Sequence, residues 1–494
     1  DASYFLSNLF GGDHSFKAGI RYRNTPYETI TTIPGGAVAR FRNGVASEAD
    51  VIRDGDTNRD MWGFSTYVQD SYRIGRLTAN AGVRWDYQDD EALEANVEAN
   101  RILPDLLPAL NFTGADSGVT YSDISPRLGL TYDLFGNGKT VARTNLARYY
   151  GIGIYTAGTI SPTGSTTLRY PWSDANGDGF VQRNELDLTR LLARSANYDA
   201  ANPSNPRGTQ TVNPGLGNDI TDEFIAGIDH ELIPNFGVGA TYIWRKYYNG
   251  TWTPVDGIST ADYVPVDFTA ACGNDTCPQA SYSGTYYQLR PGLTIPSNGT
   301  LTNTEFERKY QGLELTARKR FSNRWMMQGS FTWNDTRGYE VADGSYQDPT
   351  DIAFENGRQV GTLNVRWVAK LSGMVQLPYG FNTSAFLNMR QGYPLNRVIQ
   401  SPTRAGAIGR TDVLVEPTHT TRYDDMYVLD WRLERWFGFG PGGKYRVAAS
   451  FDIFNALNNG LVLDQVERQN ASNANDIETV LAPRVARVVG RFQF

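Results

Sequence analysis

Residues 484–494 read RVARVVGRFQF and close the chain. Ala486, Val488, Gly490, Phe492 and Phe494 share one face, and Val485, Arg487, Val489, Arg491 and Gln493 share the other. Apolar and polar residues alternate with period two, the pattern of a strand whose faces meet unlike surroundings. The strand stops on an aromatic residue with no polar tail. In a soluble domain such an exposed strand edge invites aggregation. A strand that must pair to close a cylinder is built this way.

Composition allows a barrel. The 494 residues are 40% hydrophobic and carry 50 Gly, 28 Tyr, 23 Phe and 10 Trp. Aromatics and glycines in such numbers suit strands, tight turns and interfacial girdles better than helices. No run approaches the ~18 apolar residues of a membrane helix. The mean hydropathy of −0.43 does not argue against a membrane barrel, because only alternate residues of each strand face lipid. The net charge of −7 argues against nucleic-acid binding. The first residue is Asp and no signal peptide is visible, so the N-terminus is read as processed, truncated or incomplete.

Upstream of the closing strand the same alternation recurs. In RLTANAGVRWDYQ, Leu77, Ala79, Ala81, Val83, Trp85 and Tyr87 share one face, opposite Thr78, Asn80, Gly82, Arg84, Asp86 and Gln88. A strand buried on both faces would not carry that polar row. About fifteen such strands are joined by short turns alternating with long loops, the rhythm of an outer-membrane barrel. Short turns are predicted at Gly11 to Asp13, Ile74-Gly75, Gly136 to Gly138, Pro234-Asn235, Ser322-Asn323, Pro378 to Gly380 and Gly438 to Gly443. Aromatics gather beside them, as at Phe10, Tyr72, Phe135, Phe321, Trp325, Tyr379, Trp436, Phe492 and Phe494, and predict one girdle. Trp62, Trp85, Trp244, Trp333 and Trp367 predict a second. A soluble propeller or stacked β-domains would explain neither the aromatics at every short turn nor the unequal connections.

Several segments resemble TonB-dependent receptors, in particular the Oar-like group with a carboxypeptidase-regulatory-like N-terminal domain. They are Tyr67 to Gln88, Tyr310 to Trp333, Lys370 to Phe381, Phe451 to Asn459 and the closing RVVGRFQF, whose terminal Phe strand resembles the C-terminal signature of such barrels. The resemblance implies a transmembrane antiparallel β-barrel of about 22 strands with an N-terminal plug. It also implies import of a scarce large ligand energised by the TonB complex. This sequence departs from that pattern, with no plug-like region and no TonB box. Counting back through the alternation, the first and last strands run the same way, towards the periplasm. Complete bacterial barrels have an even number of strands. The chain is therefore read as the C-terminal part of the barrel, lacking roughly seven strands of a 22-strand cylinder. The closing strand is expected to have one edge without a partner. The implied partners are outer-membrane lipid, the missing plug and strands, the TonB complex through that missing region, and other outer-membrane or surface proteins.

The sharpest local motif is DANGDGFVQRNE, Asp174 to Glu185, inside a loop insertion at 168–200. It fits the twelve-residue EF-hand spacing. Asp174, Asn176 and Asp178 fall at positions one, three and five, and Gly179 at the sharp turn. Phe180 would offer its carbonyl, Gln182 would act directly or through water, and Glu185 would clamp the ion. Hard oxygen ligands at this spacing suit Ca²⁺ in a structural role. Leu188, Leu191 and Leu192 predict an exit helix, whereas Pro171 rules out a leading one, so the motif resembles a dockerin-type half-hand. The alternative is a hydrated, Asx-rich turn without metal. DGDTNRD, Asp54 to Asp60, lacks the twelfth-position acid and reads as a solvated loop.

Cys272 and Cys277, the only cysteines, sit in a second long loop at 249–303 and read as a local disulfide in an oxidising compartment. Two free thiols are the alternative. No catalytic constellation is present: His14, His230 and His419 form no zinc-spaced pair, and there is no nucleophile elbow or Walker loop. Arg84, Asp86, Asp430, Arg432, Glu434, Arg446 and Asp452 fall on polar faces, where they line a ligand path or satisfy one another. The second reading is the stronger.

Overall fold

The computed structural model describes residues 1–151, 156–204, 208, 210–295, 299–338, 347–350, 354, 355, 358, 359, 365–405, 409–441 and 445–494. One antiparallel sheet of fifteen strands organises the chain. Its strands are β1 (Ala2–Leu9), β2 (Gly12–Thr31), β3 (Gly55–Ile74), β4 (Leu77–Ala92), β5 (Ala115–Asp133), β6 (Thr140–Tyr150), β7 (Ile220–Ile233) and β8 (Phe236–Tyr248). They continue as β9 (Arg308–Ser322), β10 (Trp325–Arg337), β11 (Trp367–Gln376), β12 (Phe381–Arg390), β13 (Met426–Phe439), β14 (Tyr445–Phe454) and β15 (Val485–Gln493). Every strand pairs with its neighbour in sequence, so the sheet is a meander. Seven short turns alternate with seven long connections, which leave from the opposite end. Among the described residues β1 pairs only with β2 and β15 only with β14, so the expected free edge of the closing strand is present.

Register puts unlike residues on the two faces, because directly opposed residues of an antiparallel pair project to the same side. Val83 opposes Val68, and Trp85 opposes Thr66, on a face where Val68, Val83, Ile124, Leu128 and Leu130 are all exposed. The other face carries Arg84, Asp86 and their partners. In a membrane barrel the apolar face meets lipid and the polar face lines the interior. At the short-turn end Phe10, Phe135, Tyr379, Phe492 and Phe494 are exposed, and Phe492 packs between Phe439, Tyr445 and Phe494. Trp62, Trp85 and Trp333 are likewise exposed towards the other end. The turn at Asn323-Arg324 has φ of 53° and 67°, the paired positive values that a two-residue hairpin of this twist requires.

One expectation changes here. Asp54 to Asp60 is not a solvated loop: β3 starts at Gly55, and Gly55 to Asp60 ladder against Pro26 to Thr31. Its polar side chains hid a strand that runs beyond the apolar band, where period-two hydrophobicity no longer marks it. The polar end of β4, Asp89 to Ala92, extends in the same way. The predicted turn at Gly438 to Gly443 falls partly outside the described residues.

Candidate functional site

Most of the long connections fold into two larger clusters at one end of the sheet, and a small three-stranded sheet of Gln210–Val212, Gly299–Asn303 and Thr251–Trp252 links connection 151–219 to connection 249–307. The first joins connections 32–54, 93–114 and 151–219. Strands Ala37–Arg42, Val45–Arg53, Thr166–Pro171 and Ala193–Arg194 make a small sheet. Behind it Ala49, Val51, Leu103, Leu107, Leu168 and Trp172 form a core drawn from all three connections. Arg53 is fully buried there. It donates from Nη1 to Pro108 O at 2.9 Å and Pro203 O at 3.3 Å, and from Nη2 to Thr166 Oγ1 at 2.9 Å. Burial pushes its guanidinium down to about 10, because a charge in an apolar setting is disfavoured. Asp50 accepts from Arg169 Nε at 2.6 Å and Arg40 Nε at 2.7 Å. Burial alone would raise its carboxyl, but bonds and charge from both arginines outweigh that and hold it below the ordinary carboxylate value. A short helix, α1 (Thr156–Ile160), reaches the mouth of the sheet, where Asp90 of β4 accepts from Thr156 Oγ1 and, at 2.8 Å, from Ala157 N.

The twelve-residue motif rims this cluster. Asp174 accepts from Gly177 N at 3.0 Å and Gly179 N at 3.1 Å, and Asp178 accepts from Phe180 N at 2.8 Å and Gln182 Nε2 at 2.8 Å. Gly177 and Gly179 adopt φ of 75° and 74°, which lets the loop wrap around its own carboxylates. Asn176 donates to Asp178 Oδ2 at 3.0 Å, and Phe180 is 74% exposed. Glu185 is buried and accepts from Trp172 Nε1 at 3.1 Å, Ala175 N at 3.0 Å and Gln182 N at 3.3 Å. Among the described residues no three His, Cys, Asp or Glu side chains converge as a metal cluster. The exit helix is absent. Arg183–Glu185 is a single 3-10 turn, and Leu186 then bridges Trp172. Leu186 and Leu188, two residues apart, enter the core, as an extended segment allows. The Asp187 carboxylate meanwhile binds Thr189 N and Oγ1, a local bond that competes with helix.

The second cluster joins connections 249–307, 391–425 and 455–484. The hairpin Tyr263–Ala271 with Ser281–Leu289 packs on a two-stranded sheet, Val398–Gln400 with Asp412–Leu414, through Tyr282, Tyr286, Ile399 and Val413. Cys272 and Cys277 form a disulfide at the hairpin tip. It shapes a loop that docks on the last connection, with Gly273 N donating to Gln469 O at 2.9 Å and Thr276 Oγ1 to Ala474 O at 2.8 Å.

Below the clusters, charges on the polar face mostly satisfy one another. Arg84 holds Asp86 at 2.7 Å, and Arg245 holds Glu223 at 2.6 Å. Asp452 accepts from Arg432 at 2.6 Å and Arg487 at 2.8 Å, tying β13, β14 and β15 together. Glu434 accepts from Trp436 Nε1 at 2.7 Å, and Asp430 from Asn455 N at 2.9 Å. The third predicted basic residue, Arg446, opposes Gln493 near the short-turn end. Sequence reading missed Arg53, Asp50, Asp90, Glu223, Arg245 and Arg487. Only Arg487 carried a usable signal, since it lies on the polar face of the closing strand in register with Asp452.

Residues 4–403 match the family model described as an outer membrane beta barrel domain. Among curated proteins the chain is 23% identical, over 379 residues, to the TonB-dependent transporter Oar of Myxococcus xanthus. That match covers 68% of this chain and 30% of the relative, so the chain spans about a third of that protein's length. Among solved structures it resembles the siderophore receptor PiuA of Acinetobacter baumannii, with a TM-score of 0.50 and 10% identity over 99% of this chain and 54% of that one. The outer membrane transporter YddB of Escherichia coli scores 0.48, with 12% identity over 99% of this chain and 68% of that one.

Proposed function

Because the chain belongs to the outer membrane beta barrel family, we propose that it is the C-terminal barrel portion of an Oar-like TonB-dependent receptor, moving a large ligand across the outer membrane. The observation that carries the reading is the likeness to the Oar transporter across most of the chain. A polar inner wall beneath two folded loop clusters suits it. In this reading the long connections are extracellular, and the short turns and the C-terminus are periplasmic. The free edges of β1 and β15 pair with further strands of a cylinder of about 22, since an open sheet edge does not persist in lipid. A plug and the TonB contact belong to other parts of the polypeptide. The Asp174 to Glu185 loop holds structural Ca²⁺, a reading supported by its spacing and its two left-handed glycines. Ligand-dependent growth that is lost without TonB is the expected result. Wild-type uptake in a strain lacking the gene would sink the proposal.

A second reading makes the barrel a surface-interaction protein without active transport. The first folded cluster favours it, because it exposes Phe41, Val45 and Phe180, apolar groups suited to a protein partner. Loss of a surface association on deleting the clusters, with uptake unchanged, distinguishes it from transport.

A further inference from the structure

We propose that Arg435, on the lipid-facing side of the sheet, holds the phosphodiester of an acidic glycerophospholipid at the short-turn end of the barrel. Register places it. On β13 Trp431, Leu433, Arg435 and Phe437 share one face, opposite Arg432, Glu434 and Trp436. Leu433 opposes Thr383 on β12 and Phe451 on β14, and Phe451 opposes Val488 on β15. Phe437, Phe451, Val488 and Phe492 are exposed on that face. Arg435 stands in its third row from the short turn, between Phe381 and Ala449, with Gly490 beyond. The guanidinium carbon lies 5.0 Å from the ring centre of Phe381 and 4.7 Å from that of Phe437, one row nearer the turn. The head therefore leans along the apolar wall towards the headgroup level, as a long cation facing lipid does.

This charge has no counterion in the chain. Among the described residues Arg435, although half-buried, forms no hydrogen bond and no ion pair. No carboxylate side chain lies on this face within two rows of it on β11 to β15, because Asp430, Glu434 and Asp452 project to the polar side. Lys319, at the same end of the same face, is the contrast: it is buried and donates to Arg320 O at 2.9 Å and Ser322 O at 3.3 Å. Two aromatic rings attract the Arg435 cation but leave its five N–H donors without oxygen acceptors. In lipid that deficit is made up at the headgroups. Strands expected beyond β15 do not supply an acid, since the first of them lies three strand spacings from β13, about 14 Å. A plug would lie on the other side of the sheet. Ala449 and Gly490 leave a notch between the Phe451–Val488 row and the Val447–Phe492 row. The notch gives a phosphodiester room to meet the guanidinium fork with two oxygens. With no carboxylate near to receive an amine, an acidic headgroup fits better than an ethanolamine one. The proposal rests on the orientation given above only for the leaflet, the periplasmic one.

The test titrates the natural protein, stripped of lipid in detergent, with dioleoyl phosphatidylglycerol and with dioleoyl phosphatidylethanolamine, and counts retained lipid by native mass spectrometry. One phosphatidylglycerol is expected to stay bound, at least about fivefold more tightly than phosphatidylethanolamine. Arg435→Ala should remove that preference, Arg435→Lys should keep part of it, and Arg410→Ala, in a long connection, should leave it unchanged. Heat-modifiable gel mobility checks that each variant remains a folded barrel, and the comparison of lipids on the natural protein needs no variant. Equal retention of the two lipids, or an unchanged preference in Arg435→Ala, would overturn the proposal. Displacement of the lipid by millimolar inorganic phosphate would overturn it too, assigning the guanidinium to free anions. Short turns found outside on intact cells would count against the orientation and not against this site.

Discussion

Trp172 donates its indole N–H to Glu185 at 3.1 Å inside the core of the first loop cluster. The group expected to clamp a calcium ion is therefore coupled to a chromophore. Adding Ca²⁺ should turn the Glu185 carboxylate towards the loop and change the emission of Trp172. The change should vanish in Trp172→Phe and in Asp174→Asn/Asp178→Asn. Calorimetry showing no heat at millimolar Ca²⁺ would remove the calcium assignment and leave the loop held by its own amides.

Arg53 stitches three connections through Pro108, Pro203 and Thr166. Arg53→Ala leaves those buried acceptors unsatisfied and should cost the cluster about 3 kcal/mol. Arg53→Lys should rescue little, since one ammonium cannot reproduce the planar fork. Limited proteolysis within 151–219 should accelerate in both variants, while the barrel stays heat-modifiable.

The lowered carboxyl of Asp50 makes the same cluster acid-sensitive. A group whose folded value lies below its unfolded value binds fewer protons in the folded state, so its stabilising contribution is complete above the unfolded value. That contribution should fade as pH drops below about 4 and vanish once the pH is below the folded value. Hydrogen exchange of Val45 to Arg53 between pH 3 and 6 should show this loss, and Asp50→Asn should flatten it. A steeper profile in the variant would contradict the assignment.

Asp452, almost fully buried, accepts from arginines on both neighbouring strands. Asp452→Ala leaves Arg432 and Arg487 facing each other without their shared anion, and should destabilise the β13–β15 corner by about 3 kcal/mol. A urea titration following Phe492 and its aromatic neighbours by fluorescence or exchange would detect it. An unchanged midpoint would show that interior water compensates.

The strands were legible because each carries its own pattern: Leu77 to Gln88 alternates cleanly enough to give both faces, and the closing strand gives its polar row. The local cysteine pair was legible for the same reason. The clusters were not, because Ala49, Leu103 and Leu168 come from three connections and none has a core of its own. Asp90 meets Thr156 across 66 positions, and Arg53 meets Thr166 across 113, separations that leave no local trace. Asp54 to Asp60 misled because polar residues beyond the apolar band still pair as strand. Leu188, Leu191 and Leu192 misled because helical spacing recurs by chance in an extended segment whose turn is set by Asp187.

The strands are also of very unequal length. β2 and β3 have 20 residues each and β5 has 19, whereas β11, β12 and β14 have 10 and β15 has 9. At about 3.3 Å per residue, a ten-residue difference is about 33 Å of wall, and a strand tilt of about 40° still leaves a step of about 25 Å. The rim is therefore lopsided: a parapet over the first strands crowned by the Arg53 cluster, and a low sill on the far flank bridged by the disulfide hairpin. The step also leaves the polar face of the first strands standing above the level of the last ones, a ledge of wall that has no counterpart across the sheet.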